Sequence, residues 1–562
     1  MVPKLLYSYL KKFNNVASDY EYDVNNIICV YTSFCYLCKK YLIYLVFLPI
    51  KPTVPFLANN MWAVILIVVL FFLSLIYFKR KNRYWYYKKV QGPQPTIFWG
   101  NFYDLVAKKK SKHGYINDLY KKYKSQGLKY FGMYMFTSPT FVIVELELIK
   151  KMLQTDFQYF TDRPVYVNEK NDPLTGQLGK LNNPKWSTLR TQLSPMFTAD
   201  KMKMMFHTML KCSHSLQNVV NCLGETNEPI DMKNIMSRFG TDVIVSCGLG
   251  LECNTLEDAN CEFRNISDVL NTRSKLGVFK EFFFFSFPQI ADFLKLKIYS
   301  DEFAKFFVKL ATQTIEFRET KNIVREDFLQ LLIQMKKDSK LNKETYNDSG
   351  LTLTVNEISA QVAIFLCAAY EKPATTVTFC LYELCLNEDI QFKLRKEIIT
   401  VLAKYNGKIT YEALMDMSYM DVCIKETLRK YPAVTTLTRT CTKTYKVPNS
   451  DVVLDKGTLL LISTLSIHMD EDYYPSPNTF NPNRFLTNED NFTWFGFSRG
   501  PRNCIGLHFG MLQMKVALTT LLLNFKFSIH KNTEVPIPLN TIGSVKPMSK
   551  IWLTAEKVNQ AS

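Results

Sequence analysis

The chain has 562 residues, of which 47% are hydrophobic and 14% aromatic, so its composition excludes a disordered chain and predicts a large core. Its formal net charge of +18 leaves nucleic acid, an anionic membrane surface and an acidic protein as classes of partner. The basic residues are scattered and no nucleic-acid-binding motif occurs in the sequence, so we expect no nucleic-acid partner.

The cysteines indicate a cytosol-facing protein with reduced thiols. There are 14 of them, and several, such as Cys367, Cys380 and Cys385, lie in apolar helical runs rather than at the spacing of a small disulfide-linked domain. Cys35 and Cys38 form a single Cys-x-x-Cys without a second pair, which is weak evidence of a metal site.

Residues 61–78 predict a transmembrane anchor. They read MWAVILIVVLFFLSLIYF and carry no charge over a length close to the roughly 20 residues that cross a bilayer as a helix. The basic residues that follow, from Lys79 to Arg83, hold the downstream domain in the cytosol by the positive-inside rule. A cleaved signal peptide would carry its basic residues before the apolar stretch. Membrane lipid is therefore a predicted partner.

The segments on either side of the anchor differ in how clearly they can be interpreted. Residues 1–60 form an extension of uncertain status, because the apolar run 27–50 is interrupted by Lys39 and Lys40. It fits a second weak span, an interfacial helix or a segment that is not normally translated, and Met61 is our candidate start of the working protein. Residues 79–101 form a basic, proline-rich linker whose GPQP at 92–95 fixes the backbone. Residues 102–562 are predicted to form one large domain.

Three helical segments carry polar side chains at informative positions. In 186–190 (WSTLR), Trp186 and Arg190 lie one helical turn apart and are suited to grip a carboxylate, with a surface ion pair as the alternative. In 426–429 (ETLR), Glu426 and Arg429 share a helix face at i, i+3. Because residues 355–386 are mostly apolar, burial of Glu371 there would require a partner.

The long apolar helix has an unusual centre, which reads AAYEKP at 368–373. Lys372 is the predicted partner of Glu371, with an ordinary helix glutamate as the alternative. Pro373 has no N–H for the carbonyl of Ala369, so we expect a kink that opens a groove in the helix.

Residues 497–506 read FSRGPRNCIG and carry the strongest signal in the chain. Glycines on both sides of Cys504 let the backbone approach a flat group, and an amphipathic helix over 507–524 follows directly. The positive end of that helix and nearby N–H groups are expected to lower the pKa of Cys504 and favour a thiolate. A buried structural cysteine is the alternative.

This decapeptide resembles the haem-binding loop of cytochrome P450, apart from Ser498 at a position where the family commonly has Gly. The residues in register are Phe497, Gly500, Arg502, Cys504 and Gly506. The resemblance implies haem b as the cofactor, with Cys504 as the axial iron ligand, the only metal-binding residue we predict. It also implies that Trp186, Arg190, Arg439 and Arg502 hold the haem propionates.

Two further segments match the family with substitutions. Arg484, in 480–485 (FNPNRF), resembles the arginine that joins Glu426 and Arg429 in a buried triad, whereas Asn483 replaces the usual Glu. Residues 368–373 resemble the oxygen-activation motif, and their candidate catalytic residues are Ala369, Glu371 and Lys372. Ala369 replaces a Gly, and Lys372 replaces the Thr that helps to deliver protons to dioxygen.

Segments 239–254 and 325–332 resemble the insect microsomal branch, whose members often oxidise plant toxins, pheromones and insecticides. The resemblance implies a mainly helical, triangular fold with a small β-rich lobe, and a monooxygenase in the endoplasmic reticulum membrane that acts on apolar small molecules. NADPH electrons would arrive through a cytochrome P450 reductase, with cytochrome b5 as a second donor, and Lys185, Lys201, Lys203 and Arg499 would face the reductase. Selectivity would lie in 165–183, 282–287, 433–438 and 541–545.

Two alternatives remain open at the level of sequence. A haem-thiolate isomerase or dehydratase that rearranges a peroxide needs neither reductase nor proton delivery, so Lys372 would be harmless there. A diverged, non-catalytic haem-binding protein would also tolerate Lys372 and Asn483. Product formation from a hydroperoxide without NADPH would distinguish the first, and haem incorporation without any turnover would distinguish the second.

Overall fold

The computed structural model describes residues 55–101, 112–226, 228–258, 261, 263, 284, 287–325, 327–345, 353–487, 491–541 and 543–558. The predictions for residues 1–54, including the Cys35 and Cys38 pair, lie outside the described residues.

The described chain is mainly helical, as the sequence predicts. The helices are α1 Pro55–Lys81, α2 Tyr84–Tyr87, α3 Lys112–Ser125, α4 Leu146–Lys150, α5 Lys185–Leu193, α6 Ala199–Glu225, α7 Met232–Leu249, α8 Pro288–Phe293, α9 Asp301–Lys321, α10 Phe328–Thr345, α11 Val355–Leu386, α12 Glu388–Lys404, α13 Tyr411–Asp416, α14 Ser418–Lys430, α15 Thr464–His468 and α16 Leu507–Asn524.

Short strands form a separate lobe and smaller sheets. They are β1 Tyr130–Met135, β2 Ser138–Ile143, β3 Ile230–Asp231, β4 Thr436–Thr440, β5 Tyr445–Lys446, β6 Val453–Leu454, β7 Leu459–Ser463, β8 Phe525–Ile529, β9 Leu539–Asn540, β10 Lys546–Pro547 and β11 Trp552–Lys557. The largest sheet has the order β1-β2-β7-β4, in which only β2 and β7 run parallel. Its side chains form a core distinct from the larger helical core, so the predicted β-rich lobe is observed.

Helix α11 is the longest helix described and lies in the centre of the helical core. Thr354 and Glu357 form a reciprocal capping box at its start, which satisfies backbone N–H groups that the first turn leaves unpaired. Helix α7 packs closely against it at Gly240, where an added Cβ would lie 2.7 Å from the Tyr370 carbonyl oxygen. Helix α11 continues past Pro373 to Leu386, and the predicted opening of a groove there stays a prediction.

The linker predicted over 79–101 is folded onto the β lobe. The Trp85 indole N–H donates to the Met133 carbonyl at 2.8 Å, and a Cβ at Gly132 would lie 2.5 Å from the Trp85 ring. Gly92 also contacts this strand, because a Cβ there would lie 1.7 Å from the Gly132 oxygen. Glycine is therefore required at both positions to let the linker and strand β1 meet.

The predicted anchor, residues 61–78, lies within helix α1. The described large apolar side chains of this helix are mostly exposed, with Leu66 at 58% and Ile76 at 62%. Among the residues that the structure describes, we find no helix that is both long and apolar enough to cross a membrane.

Candidate active site

The loop that carries Cys504 depends on two residues with positive φ. Gly500 has φ +78°, and a Cβ there would lie 2.0 Å from the Leu153 carbonyl oxygen, so no other residue fits without movement. Ser498 has φ +63°, a conformation that glycine adopts at less cost, and its buried hydroxyl has no hydrogen-bond partner in the described structure. A glycine at position 498 would adopt this conformation without strain and would bury no hydroxyl.

Cys504 is a free and exposed cysteine at the end of this loop, two residues before Gly506, the N-cap of helix α16. Its backbone N–H donates to the Phe497 carbonyl at 2.9 Å. Desolvation by the surrounding protein raises the pKa of the Cys504 thiol, and the Gly506 N–H with the Arg190 and Arg163 charges opposes that rise. Desolvation is the largest of these effects, so the pKa of the metal-free thiol lies above its ordinary value, opposite to the lowering predicted from the helix end.

Three arginines gather beside the Cys504 loop. Arg439 projects from strand β4 and Arg502 from the loop itself, and each is only 2% exposed. Burial and neighbouring positive charges lower the pKa of both to about 9, and Arg163 contributes charge to each. None of the three lies within ion-pair distance of an acidic residue in the described part of the chain.

The hydrogen bonds of these arginines are incomplete. Arg439 donates through Nη1 to the Thr438 carbonyl at 2.8 Å, and Arg502 donates through Nη2 to the Leu181 carbonyl at 2.7 Å. Nε and Nη2 of Arg439 and Nε and Nη1 of Arg502 are buried without a partner among the described atoms. Because unpaired buried N–H groups of a cation are costly, this cluster fits an anionic ligand with two carboxylates, as haem has.

Trp186 and Arg190 lie beside this cluster on helix α5. The Arg502 guanidinium lies 4.1 Å from the Trp186 ring centroid, a cation–π contact. Arg190 donates to the Asn503 carbonyl at 3.1 Å and to its side-chain oxygen at 2.8 Å. The structure thus gives Arg190 an unpredicted role, because it holds the residue next to Cys504.

Arg163 is the residue of this cluster that the sequence analysis missed. It donates to the Gly179 carbonyl at 3.0 Å, and burial lowers its pKa while the nearby Cys504 thiolate charge opposes that effect. Its local sequence, TDRPV at 161–165, carries only an arginine before a proline. That pattern is too common to identify a site.

The buried triad predicted around Glu426 is present. Glu426 pairs with Arg429 through two hydrogen bonds of 2.6 and 2.8 Å, and Arg484 Nε lies 3.2 Å from the same carboxylate. Arg429 also donates to the His468 and Pro477 carbonyls, both at 2.8 Å. Glu426 and Arg429 are fully buried, so the triad ties helix α14 to the chain that leads into the Cys504 loop.

The predicted pairing of Glu371 with Lys372 is wrong. Glu371 forms an ion pair with Lys546 of strand β10, whereas Lys372 donates to the Ala433 carbonyl at 2.9 Å. Burial raises the pKa of Glu371, but the hydrogen bond and charge of Lys546, with the charges of Lys233 and Lys372, bring it below its ordinary value. Adjacent helix residues point about 100° apart, which is why these two side chains reach different loops.

One stripe of helix α11 is accessible although the helix is central. Ala368 is exposed, and Ile364, Phe365, Ala369 and Lys372 are half-buried, while most of the helix is buried. The spacing of 364, 365, 368 and 372 puts them on one helix face. An exposed cysteine and an exposed helix stripe inside the fold are what a space for a flat cofactor and a substrate would produce.

Two of the predicted recognition segments are joined to each other. The Thr435 N–H donates to the Gly543 carbonyl and the Val545 N–H donates to the Pro432 carbonyl, both at 3.1 Å. The other two predicted recognition segments, 165–183 and 282–287, are also in contact, because the Tyr166 ring stacks on Phe284 with centroids 4.5 Å apart. Positions 282, 283, 285 and 286 of the phenylalanine-rich run lie outside the described residues.

Two of the basic residues expected to face a reductase are neutralised by acidic neighbours. Lys185 pairs with Glu169 and Glu357 at 2.6 Å each, and Lys203 pairs with Glu412. Lys185 therefore helps to hold the start of helix α11 rather than offering an unpaired surface charge.

Comparison with known proteins identifies the family. The family described as "Cytochrome P450" matches residues 90–555. Cytochrome P450 6a2 of Drosophila melanogaster is 35% identical over 88% of this chain and 99% of its own length. Probable cytochrome P450 6a14 of the same fly is 38% identical over 81% of this chain and 91% of its own length. Cytochrome P450 6A1 of Musca domestica is 36% identical over 86% of this chain and 96% of its own length.

The predicted resemblance to insect cytochromes P450 is confirmed, and with it the P450 fold of helices and small sheets, haem b as cofactor and a reductase as redox partner. Neither alternative is favoured by any of these relatives. The match covers both the helical core and the β lobe, and it includes the Cys504 loop with its arginines. The chain belongs to the cytochrome P450 family and is a haem-thiolate monooxygenase.

Proposed function

We propose that this monooxygenase oxidises apolar xenobiotic molecules, with haem held by Cys504 and by the arginine cluster of Arg163, Arg439 and Arg502. The observation that carries the proposal is the set of buried guanidinium N–H groups without partners beside an exposed cysteine. Haem supplies the oxygen-activating chemistry when it is bound, and the protein supplies binding, orientation and electrostatics.

The residues of the site divide into three roles. Cys504 provides the thiolate ligand, and Phe497, Gly500 and Gly506 shape the loop that presents it, through the hydrogen bonds and close approach described above. Arg439 and Arg502 bind the two propionates, with Trp186 packed under Arg502. Arg190 holds Asn503 and thereby orients the cysteine.

The accessible stripe of helix α11 is our candidate lining of the substrate space. Ile364, Ala368 and Ala369 are apolar and at least partly accessible, which favours an apolar substrate, whereas the Phe365 ring stacks on Phe328 with centroids 4.2 Å apart. Lys372 and Glu371 occupy the positions of the proton-delivery residues, but Glu371 is engaged by Lys546. We propose that protons reach this site by a route that does not depend on a threonine at position 372.

We also propose the membrane arrangement expected from the sequence. Residues 61–78 anchor the chain in the endoplasmic reticulum membrane, residues 79–101 link the anchor to the cytosolic domain of 102–562, and residues 1–60 form an N-terminal extension before the anchor. The charge that follows the apolar run supports this orientation. Alkaline extraction of membranes tests it: the full chain should stay with the membrane and a chain lacking residues 1–81 should be released.

Electron delivery should depend on the surface charge near the Cys504 side. Lys201 and Arg499 lie in segments expected on the Cys504 side of the haem, which makes them candidate contacts for the reductase, and cytochrome b5 is a candidate second donor. Charge reversal at Lys201 should weaken the apparent affinity for the reductase and reduce its dependence on salt concentration. Unchanged salt dependence would place the docking surface elsewhere.

The central experiment measures NADPH consumption by the haem-loaded chain with reductase and a panel of apolar probes, partitioned into product and peroxide, beside Lys372→Thr. Oxidised product from the native chain establishes monooxygenation with a route for protons that does not use Thr. Peroxide without product, with product restored by Lys372→Thr, would show that proton delivery is impaired. Product from a hydroperoxide without NADPH would instead favour an isomerase.

A further inference from the structure

Helix α11 is tied at adjacent residues to two different loops of the pocket. Glu371 forms the ion pair with Lys546, the residue that follows the loop 541–545 between strands β9 and β10. Lys372 donates to the carbonyl of Ala433, in the segment that leads into strand β4. Both contacts are partly buried, so both operate in surroundings less polar than bulk water.

The two loops are also joined to each other. Two backbone hydrogen bonds of 3.1 Å, from Thr435 to Gly543 and from Val545 to Pro432, connect them directly. The contacts therefore close a ring that runs from the helix to the first loop, from that loop to the second, and back to the helix. A ring holds its members more firmly than separate contacts do, because no link can open without straining the others.

The helix itself is fixed on its other side. Gly240 of helix α7 approaches the Tyr370 carbonyl, one residue before the ring, so closely that an added Cβ would clash at 2.7 Å. Lys233 of the same helix donates to Thr375 at 2.5 Å, and Thr375 donates to the Glu371 carbonyl at 2.8 Å. The part of α11 that carries Glu371 and Lys372 is thus a rigid support for both loops.

The charges of the ring favour the observed pairing. Burial lowers the pKa of Lys233 to about 8, against the charge of Glu371 and together with the charges of Lys546 and Lys372. Three lysines therefore surround one carboxylate, and Glu371 is their shared counterion. A carboxylate that neutralises several cations is costly to protonate, so it is poorly suited to release and take up protons in each catalytic cycle.

We propose that Glu371 and Lys372 are positioning residues that clamp the segments 432–435 and 543–546 against helix α11 and so determine which substrates fit. This inference rests on the proposed function, because only the family resemblance assigns these loops to substrate recognition. It gives Lys372 a function that the threonine found in the family does not have. A threonine side chain is too short to make a bond of the kind that Lys372 makes with Ala433.

The test compares binding of two ligands to the haem-loaded full chain by absorption spectroscopy. The uncharged probe 7-ethoxycoumarin binds through contacts with the residues that line the pocket. Imidazole binds iron directly and makes few such contacts. In Lys546→Met and in Lys372→Met, we expect the Kd for 7-ethoxycoumarin to rise about tenfold, the effect of one charge-assisted hydrogen bond. The Kd for imidazole should stay within about twofold.

Three further variants separate a clamp from a general loss of structure. Lys546→Arg retains the charge and a donor and should restore most of the affinity for 7-ethoxycoumarin. Lys550→Met is the control. It removes an exposed lysine of the same C-terminal segment as Lys546, which pairs with Asp231, and it should leave the Kd of both ligands unchanged. The double variant of Lys372 and Lys546 should weaken binding by less than the product of the two single effects, because either change opens the ring.

The proposal is overturned if both single variants bind 7-ethoxycoumarin as the native chain does, or if imidazole binding weakens as much as probe binding. Strictly multiplicative effects in the double variant would also overturn it, since independent contacts do not form a ring. Failure of the proposed function has a different signature, namely that the native chain binds the probe and forms no product. The binding comparison decides the clamp in either case.

Discussion

Two clusters of buried arginines in this molecule differ in how completely they are satisfied. Around Glu426, Arg429 and Arg484 donate to a carboxylate and to backbone carbonyls. Beside Cys504, Arg439 and Arg502 are nearly as buried as Arg429 but keep four nitrogen atoms without partners among the described residues. The first cluster completes its own interactions and stabilises the fold, whereas the second is complete only when it binds a dianion.

The largest effect is expected from removing the residue that the second cluster surrounds. Cys504→Ser should abolish monooxygenase activity, because a hydroxyl does not donate electron density to iron as a thiolate does. The reduced, carbon monoxide-bound protein should lose the absorption band typical of thiolate ligation. Cys222→Ser, at another exposed cysteine, is the control and should keep both properties. A retained thiolate band in Cys504→Ser would assign the ligand to another residue.

Disruption of the cluster around Glu426 should lower the free energy of unfolding. Glu426→Gln leaves two arginines without their carboxylate in a buried site, and we expect the free energy of unfolding to fall by about 3–5 kcal/mol. Denaturant titration measures this change. Glu471→Gln, at an exposed glutamate, should change it little. An effect of Glu426→Gln no larger than that of the control would mean that the triad contributes nothing to stability.

Disruption of the arginine cluster beside Cys504 should speed the loss of haem. Arg502→Leu removes a charge-assisted contact to the cofactor, so the rate of haem loss to a haem acceptor should rise roughly 10- to 100-fold. Arg484→Leu, in the other cluster, should lower the free energy of unfolding without a comparable effect on haem loss in the native state. If the two variants lose haem at the same rate, the distinction between the clusters fails.

His468 links the satisfied cluster to a pH dependence. The Phe495 N–H donates to Nε2 at 2.9 Å, so Nδ1 carries the proton and donates to the Arg429 carbonyl at 3.1 Å. Burial, with the charge of Arg429, lowers the pKa of His468 from 6.5 to about 3. The unfolded chain therefore takes up a proton first as the pH falls, and the neutral ring's stabilising contribution is lost on acidification below pH 6.5.

Between pH 6.5 and about 3, the titration of His468 should lower the free energy of unfolding by about 1.4 kcal/mol per pH unit of acidification. Denaturant titrations at several pH values measure the slope. His468→Gln should cost stability at neutral pH and reduce the slope on acidification. A variant with the native slope would assign the acid sensitivity to other groups.

The smallest effect is expected at the edge of the Cys504 loop. Ser498→Gly should raise the free energy of unfolding by about 1 kcal/mol, because glycine adopts φ +63° without strain and removes an unpaired hydroxyl. Gly500→Ala should have the opposite sign, since its Cβ would overlap the Leu153 carbonyl. Thermal unfolding of the haem-loaded protein compares the two. Destabilisation by Ser498→Gly would show that the serine has a favourable contact when haem is bound.

The sequence alone predicted the family, the helical class with its β lobe, and the loop around Cys504, because these depend on residues close together in the chain. A short motif specifies its own backbone geometry, as the glycine at position 500 shows. The triad of Glu426, Arg429 and Arg484 was also predictable, since the resemblance supplied the one contact that lies far apart in sequence.

Tertiary structure decided which charges meet. Lys546 lies 175 positions after Glu371, and no local pattern distinguishes it from the other lysines of the chain. Arg163 joins Arg439 and Arg502 only because the chain folds three separate segments onto one place. The pKa of Cys504 is likewise set by the protein groups that the fold gathers around it from distant segments, which the helix that follows it in the sequence does not reveal. Sequence determines local backbone and residue chemistry, and packing determines the partners and the desolvation that give those residues their function.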